Sequence, residues 1–139
     1  MRILLLSILV VGATFAAPED NQKAIRKGPA RRTSASSGSE MYGAYCAACH
    51  GLGGKGDGPA SSALKSAPTD LTQLAKRNSG KFPELQVFGA INGDVQVPAH
   101  GSKDMPVWGM VFRGMGDNGV SGAQLRIRNL TRYIESLQQ

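Results

Sequence analysis

The feature that most constrains this chain is the run Cys-Ala-Ala-Cys-His at positions 46–50. Two cysteines separated by two residues, with a histidine directly after the second, form the attachment pattern of a c-type haem. The spacing follows from the chemistry, because two thiols add to the two vinyl groups of the porphyrin and the adjacent imidazole reaches the iron. The run therefore predicts one covalent haem c per chain, bound through Cys46 and Cys49, with His50 as the proximal metal ligand.

Two other kinds of site use the same residue types. A redox-active dithiol would use both cysteines, but it gives no role to His50 and belongs to a βαβ context that the sequence does not indicate. A zinc site would need further ligands at finger-like spacing, and the chain holds no other cysteine and one other histidine, His100. Covalent haem is the favoured interpretation, with a dithiol or a metal site as the alternatives.

The first residues are typical of a secretory signal peptide. Arg2 gives a positive start, residues 3–15 are largely apolar, and two alanines follow at 16 and 17. The apolar run is shorter than the ~20 residues that span a bilayer as a helix, so cleavage after Ala16 is favoured over an uncleaved anchor. We expect residues 1–16 to be a signal peptide and the protein to be periplasmic or otherwise exported, which agrees with haem attachment outside the cytoplasm.

Residues 17–37 differ from the rest in composition. They hold five basic and two acidic residues, and Ile25 is their one large apolar side chain. Such a segment buries too little apolar area to offset the entropy of ordering, so we expect a disordered basic tail. The tail could also act as an electrostatic arm toward an acidic partner or, peripherally, anionic lipid.

Residues 38–139 should form a single small domain. This part carries ten basic and eight acidic residues, so the formal charge of +6 for the whole chain does not reflect a strongly basic body. Nothing in it is similar to a nucleic-acid-binding module, and we expect no nucleic-acid partner.

The pattern of the domain predicts helices separated by loops, with no competing strand. The first helix should run from about Gly38 through Cys49. Thr69 or Asp70 should cap a short helix, and Pro83 should begin another that ends near Gly93.

Ser121 should cap the last helix, which is expected to run to about Leu137. Its apolar residues predict a buried stripe that includes Leu125 and Leu130, while Arg126 is expected to face water.

Four segments follow one another in order along the chain. These are the haem motif, the loop 54–59 (Gly-Lys-Gly-Asp-Gly-Pro), the segment 105–109 (Met-Pro-Val-Trp-Gly) and the closing helix around 130–134 (Leu-Thr-Arg-Tyr-Ile). In these four segments and in their order, the chain resembles class I monohaem cytochromes c. The resemblance covers residues 38–139 and implies an all-α, cytochrome c-like fold of about four to five short helices wrapped around one covalent haem. It also implies that the first and last helices cross, with Gly38 and Tyr42 against Leu130 and Tyr133.

The same resemblance implies the remaining site residues. Met105, followed by a stiffening proline, would be the distal iron ligand, and Trp108 would belong to the haem pocket. The carbonyl of Pro59 would hold the proximal imidazole. The other candidates for the distal position are His100 and, with less support from the family pattern, Met41, Met110 and Met115.

Iron held by an imidazole and a thioether has no open position for a substrate, which points to an electron carrier between respiratory or dehydrogenase partners and not to an enzyme. One alternative is a haem subunit docked permanently on an oxidoreductase complex. A second is a peroxidase-like or gas-binding haem protein, which would need an open distal position.

Overall fold

A computed structural model describes residues 30–94, 105–116 and 118–139. The predicted signal peptide and His100 lie outside these residues. Within them the chain is helical and has no strand, which confirms the all-α class. The structure has more helices than the four to five expected, namely α1 (Gly38–Tyr45), α2 (Ala47–His50), α3 (Leu74–Arg77), α4 (Glu84–Asn92), α5 (Trp108–Arg113) and α6 (Gly119–Ser136), with 3₁₀ helices at Ser61–Ala63 and Leu71–Gln73.

The first predicted helix is divided in two. Ser37 caps α1 by accepting a hydrogen bond from the Glu40 amide at 3.2 Å, and α1 ends at Tyr45. Cys46 separates it from the single turn of α2, which stops where Gly51 adopts a positive φ of 77°. The haem motif therefore begins at a break between two helices instead of continuing one.

Two of the predicted helix boundaries are confirmed by their caps. The Asp70 side chain accepts a hydrogen bond from the Thr72 amide at the start of the second 3₁₀ helix. Gly93 ends α4 in the left-handed conformation, with φ of 91°. Pro83, which was expected to begin α4, lies one residue before it, at the N-cap position.

The hydrophobic core forms where α1 crosses α6. The rings of Tyr42 and Tyr133 lie 5.2 Å apart between centroids, and Leu130 is fully buried. A Cβ atom on Gly38 would collide with the carbonyl oxygen of Asn129 and lie 2.8 Å from the Tyr133 Cβ. The two helix backbones therefore approach closely at Gly38, as the resemblance implied.

The buried stripe of α6 is shifted from the prediction. Leu125 is 46% exposed, whereas Arg126, which was expected to face water, is 3% exposed. Arg126 lies four residues before Leu130 and so falls on the same face of the helix, while Leu125 is more than a third of a turn away. The cap also lies three residues earlier than predicted, at Asn118, so the helix begins at Gly119.

The prediction of a disordered tail up to Ser37 is wrong for its last residues. Residues 31–37 lie against the helices: Thr33 is buried, and the Asn129 amide donates a hydrogen bond to the Ala35 carbonyl at 2.9 Å. Backbone carbonyls in this segment find donors on the domain, which composition alone does not reveal.

No helix in the described part of the chain is both long enough and apolar enough to cross a membrane.

The Gly38 contact can be tested against a matched glycine in the same helix. Gly38→Ala should lower the free energy of unfolding by about 1–3 kcal/mol, because the added methyl group separates α1 from α6. Gly43→Ala should raise it by about 0.5–1 kcal/mol, since a Cβ there meets nothing within 4 Å and alanine favours the helix. Urea unfolding followed by circular dichroism measures both, and changes of equal sign would contradict the close approach.

Candidate functional site

The two cysteines lie at the edge of a cavity beside α2. Neither is in a disulfide. Burial, with a smaller contribution from the neighbouring Cys49, raises the pKa of the Cys46 thiol to about 12, and burial also raises the pKa of Cys49. A reactive dithiol needs a thiol whose pKa is lowered, because the thiolate is the nucleophile. The surroundings therefore disfavour the dithiol alternative.

The His50 side chain is buried, and its orientation is fixed by a hydrogen bond. Its Nδ1 atom lies 3.1 Å from the carbonyl oxygen of Thr69, which can only accept. The tautomer that this bond favours carries its proton on Nδ1 and its lone pair on Nε2, the nitrogen that can bind iron. The Thr69 carbonyl thus helps to hold the imidazole, a role that the sequence pattern did not indicate.

Pro59 is exposed and does not line the cavity. The role given to it by the resemblance stays a prediction, and the carbonyl observed at Nδ1 comes from a segment ten residues later in the chain. Thr69 lies between Pro68 and the capping residue Asp70, a pattern that predicts extended chain just before a helix. This pattern is the feature of the sequence that could have indicated Thr69.

The Thr69 segment is held locally by its own cap. The Asp70 carboxylate accepts hydrogen bonds from the Thr72 hydroxyl at 2.7 Å and from the Thr72 amide at 2.9 Å. The hydroxyl bond is the largest reason why the pKa of Asp70 lies below its usual value. The Leu71 amide donates to the Gly54 carbonyl at 2.7 Å, which ties the segment to the glycine-rich loop.

Gln138 joins the same segment to α6. Its side-chain oxygen accepts from the Ala75 amide at 2.9 Å, and its side-chain nitrogen donates to the carbonyls of Leu71 at 2.7 Å and Ile134 at 2.9 Å. One amide side chain thus satisfies three backbone groups. No sequence pattern marked Gln138, because a single polar residue after a helix is typical of exposed chain.

The cavity has a volume of about 300 Å³ and brings the predicted site residues together. It is lined by Cys46, Cys49, His50, Met105 and Trp108, and by further mainly apolar side chains that include Leu64, Leu71, Leu74, Val87, Ile91 and Ile134. A mainly apolar wall with a few polar groups is typical of a cofactor site.

Of the four methionines in the described residues, Met105 is the one that lines the cavity. Met41 and Met115 are buried elsewhere in the core, and Met110 is 66% exposed. Among the methionines in the described residues, Met105 is therefore the candidate for the distal position that shares a cavity with His50.

The donor set fits a covalently attached haem. An imidazole and a thioether are ligands that electron-transfer haems use, and two thiols three residues apart can bind the porphyrin edge. The apolar lining suits the faces of a porphyrin, which has few polar atoms.

The comparison with known families agrees with this fit. A family model described as Cytochrome c matches residues 35–138. No curated protein and no solved structure gives a significant match.

Proposed function

Because this chain belongs to the cytochrome c family, whose members bind covalent haem c and carry electrons, we propose that it is an exported single-haem electron carrier. The observation that carries the proposal is the placement of Cys46, Cys49, His50 and Met105 around one apolar cavity. When bound, haem supplies a one-electron redox couple at its iron.

Each site residue has a defined part in the proposal. Cys46 and Cys49 would hold the porphyrin as thioethers, which removes their titration. His50 would bind the iron through Nε2, with Thr69 keeping the ring in orientation and raising its basicity. Met105 would be the second side chain to bind the iron, and its soft sulfur would favour the reduced iron and raise the potential.

The apolar walls would exclude water from the redox centre. Little polar rearrangement then accompanies a change of charge, which suits outer-sphere electron transfer. If His50 and Met105 both bind the iron, they would leave no position for a substrate, and the protein would act as a carrier and not as an enzyme.

The distal ligand is the direct test of this proposal. The oxidised protein should show the weak near-infrared band of a sulfur–iron(III) bond, and Met105→Ala should abolish it. The same change should lower the reduction potential on the order of 0.1 V, within the ~0.8 V range that axial ligands cover. It should also let small exogenous ligands bind the iron.

Two variants serve as controls in that experiment. Met110→Ala removes an exposed methionine and should leave the band intact, as should His100→Ala. A native protein without the band, whose spectrum changes in His100→Ala, would mean bis-histidine iron. A native protein without the band that binds small ligands would favour a catalytic or gas-binding haem.

Export is proposed from the first sixteen residues, whose positive start, apolar run and small residues form a signal-peptide pattern. The mature protein purified from its natural compartment should begin at Ala17. Its N-terminal sequence tests this directly, and an N-terminus that retains Met1 would contradict cleavage.

The redox partners are proposed to dock in part through basic charge. Replacing Lys23, Arg26 and Lys27 with glutamine should slow electron exchange with an acidic redox protein several-fold at low ionic strength and flatten its salt dependence, because surface charge acts mainly on encounter. Stopped-flow rates at several salt concentrations measure this. Neutralising the exposed Arg128 and Arg132 of α6 is the control, and an equal effect there would indicate overall charge instead of the tail.

A further inference from the structure

We infer that Arg126 and Thr33 are positioning residues for the wall of the haem cavity. They act through a directed chain of hydrogen bonds that ends on Tyr45, a residue of that wall. The N-terminal segment 31–33 thereby helps to keep the distal methionine in place. This inference rests on the proposed function, because it concerns the same redox site.

The chain begins at a buried arginine. The Arg126 guanidinium donates from Nη1 to the Thr33 hydroxyl at 3.1 Å and from Nη2 to the Thr33 carbonyl at 3.0 Å. It also lies over the ring of Phe112, with 5.9 Å between Cζ and the ring centroid. Burying a guanidinium is costly unless its hydrogen bonds are made, so these contacts are needed for the fold and bring Thr33 to a fixed place.

The direction of the bonds follows from counting hydrogens. Tyr45 has one hydroxyl hydrogen, which it donates to the Arg31 carbonyl at 2.6 Å. The 2.7 Å contact between the hydroxyls of Thr33 and Tyr45 must then use the Thr33 hydrogen. Thr33 in turn accepts from Arg126, which can only donate. The order is therefore Arg126 to Thr33 to Tyr45 to Arg31, and each bond polarises the next.

Tyr45 transmits this order to the cavity. It lines the cavity directly before Cys46, and its ring lies 5.1 Å from Trp108 and 5.5 Å from Phe112 between centroids. Trp108 begins α5 and follows Met105 by three residues. A fixed Tyr45 ring therefore fixes the start of α5, and with it the short segment that connects Met105 to this helix.

Two of the four residues in this chain of hydrogen bonds lie outside the part that the family model matches. The family match begins at residue 35, whereas Arg31 and Thr33 precede it. A segment outside the matched domain thus supplies both the central hydroxyl and the terminal acceptor of the chain.

The test uses the haem-loaded protein and two single-site variants. Thr33→Val keeps the shape and removes the hydroxyl, and Tyr45→Phe keeps the ring and removes the Oη atom. Both should raise the population of the state that has lost the sulfur–iron band about three- to ten-fold, as expected for one or two hydrogen bonds. The band is followed against temperature, beside circular dichroism of the whole fold, and the reduction potential is measured for each variant.

The controls separate positioning from general stability. Thr33→Ser keeps the hydroxyl, so the sulfur–iron band should be lost at the same midpoint temperature as in the native protein. Thr131→Val removes a different buried hydroxyl, one on α6 that donates to the Ile127 carbonyl at 2.9 Å. It should lower the midpoint temperatures of unfolding and of band loss by the same amount. In the double variant Thr33→Val with Tyr45→Phe, the free-energy change for band loss should be smaller than the sum of the two single changes. Both substitutions break the same chain of hydrogen bonds.

The outcomes are distinguishable. If the native protein lacks the band, the proposed methionine ligation fails, and with it the inference. If the native band is present and neither Thr33→Val nor Tyr45→Phe separates band loss from unfolding, the inference alone is overturned. Should Thr33→Val not fold, Tyr45→Phe decides, because it leaves the bonds between Arg126 and Thr33 in place.

Discussion

The close approach of α1 and α6 at Gly38 is the constraint on which the rest of the domain depends. Helix α1 leads directly into α2, so its position sets where the two cysteines and His50 stand. Helix α6 carries Arg126 on its buried face, and Gln138 follows its end. The crossing thus brings into one place the haem-binding motif, the support of the Thr69 segment and the anchor of the N-terminal segment.

Features that depend on a few neighbouring residues could be predicted from the sequence. The haem motif is defined by covalent chemistry with a fixed spacing, and the family and its cofactor are confirmed. The caps at Asp70 and Gly93 are likewise local, because each residue acts on backbone groups within a few positions. The role of Met105 stays a prediction, although the structure places it on the cavity.

Features that depend on distant parts of the chain could not be predicted from the sequence. The carbonyl at His50 Nδ1 belongs to Thr69, and any backbone carbonyl could have filled that place. Arg126 was predicted to be exposed because it is charged, although its position four residues before Leu130 places it on the buried face of the helix. Its burial is favoured by hydrogen bonds to Thr33, a residue 93 positions away, and by the contact with the Phe112 ring. Segment 31–37 looked disordered by composition for the same reason, since its partners lie outside it, on α1 and α6.

The short span of the attachment motif has a consequence for folding. Cys46 and Cys49 lie on either side of a two-residue spacer, so bonds from them to haem would close only a very small loop and remove little entropy from the unfolded chain. A haem attached in this way would nevertheless stay on the chain when the domain unfolds. Its effective concentration for refolding is then set by chain geometry and not by the amount of haem in solution. The residues of α4, α5 and α6 that line the cavity can therefore gather around a core that never leaves them, and the stability of the domain becomes independent of cofactor supply.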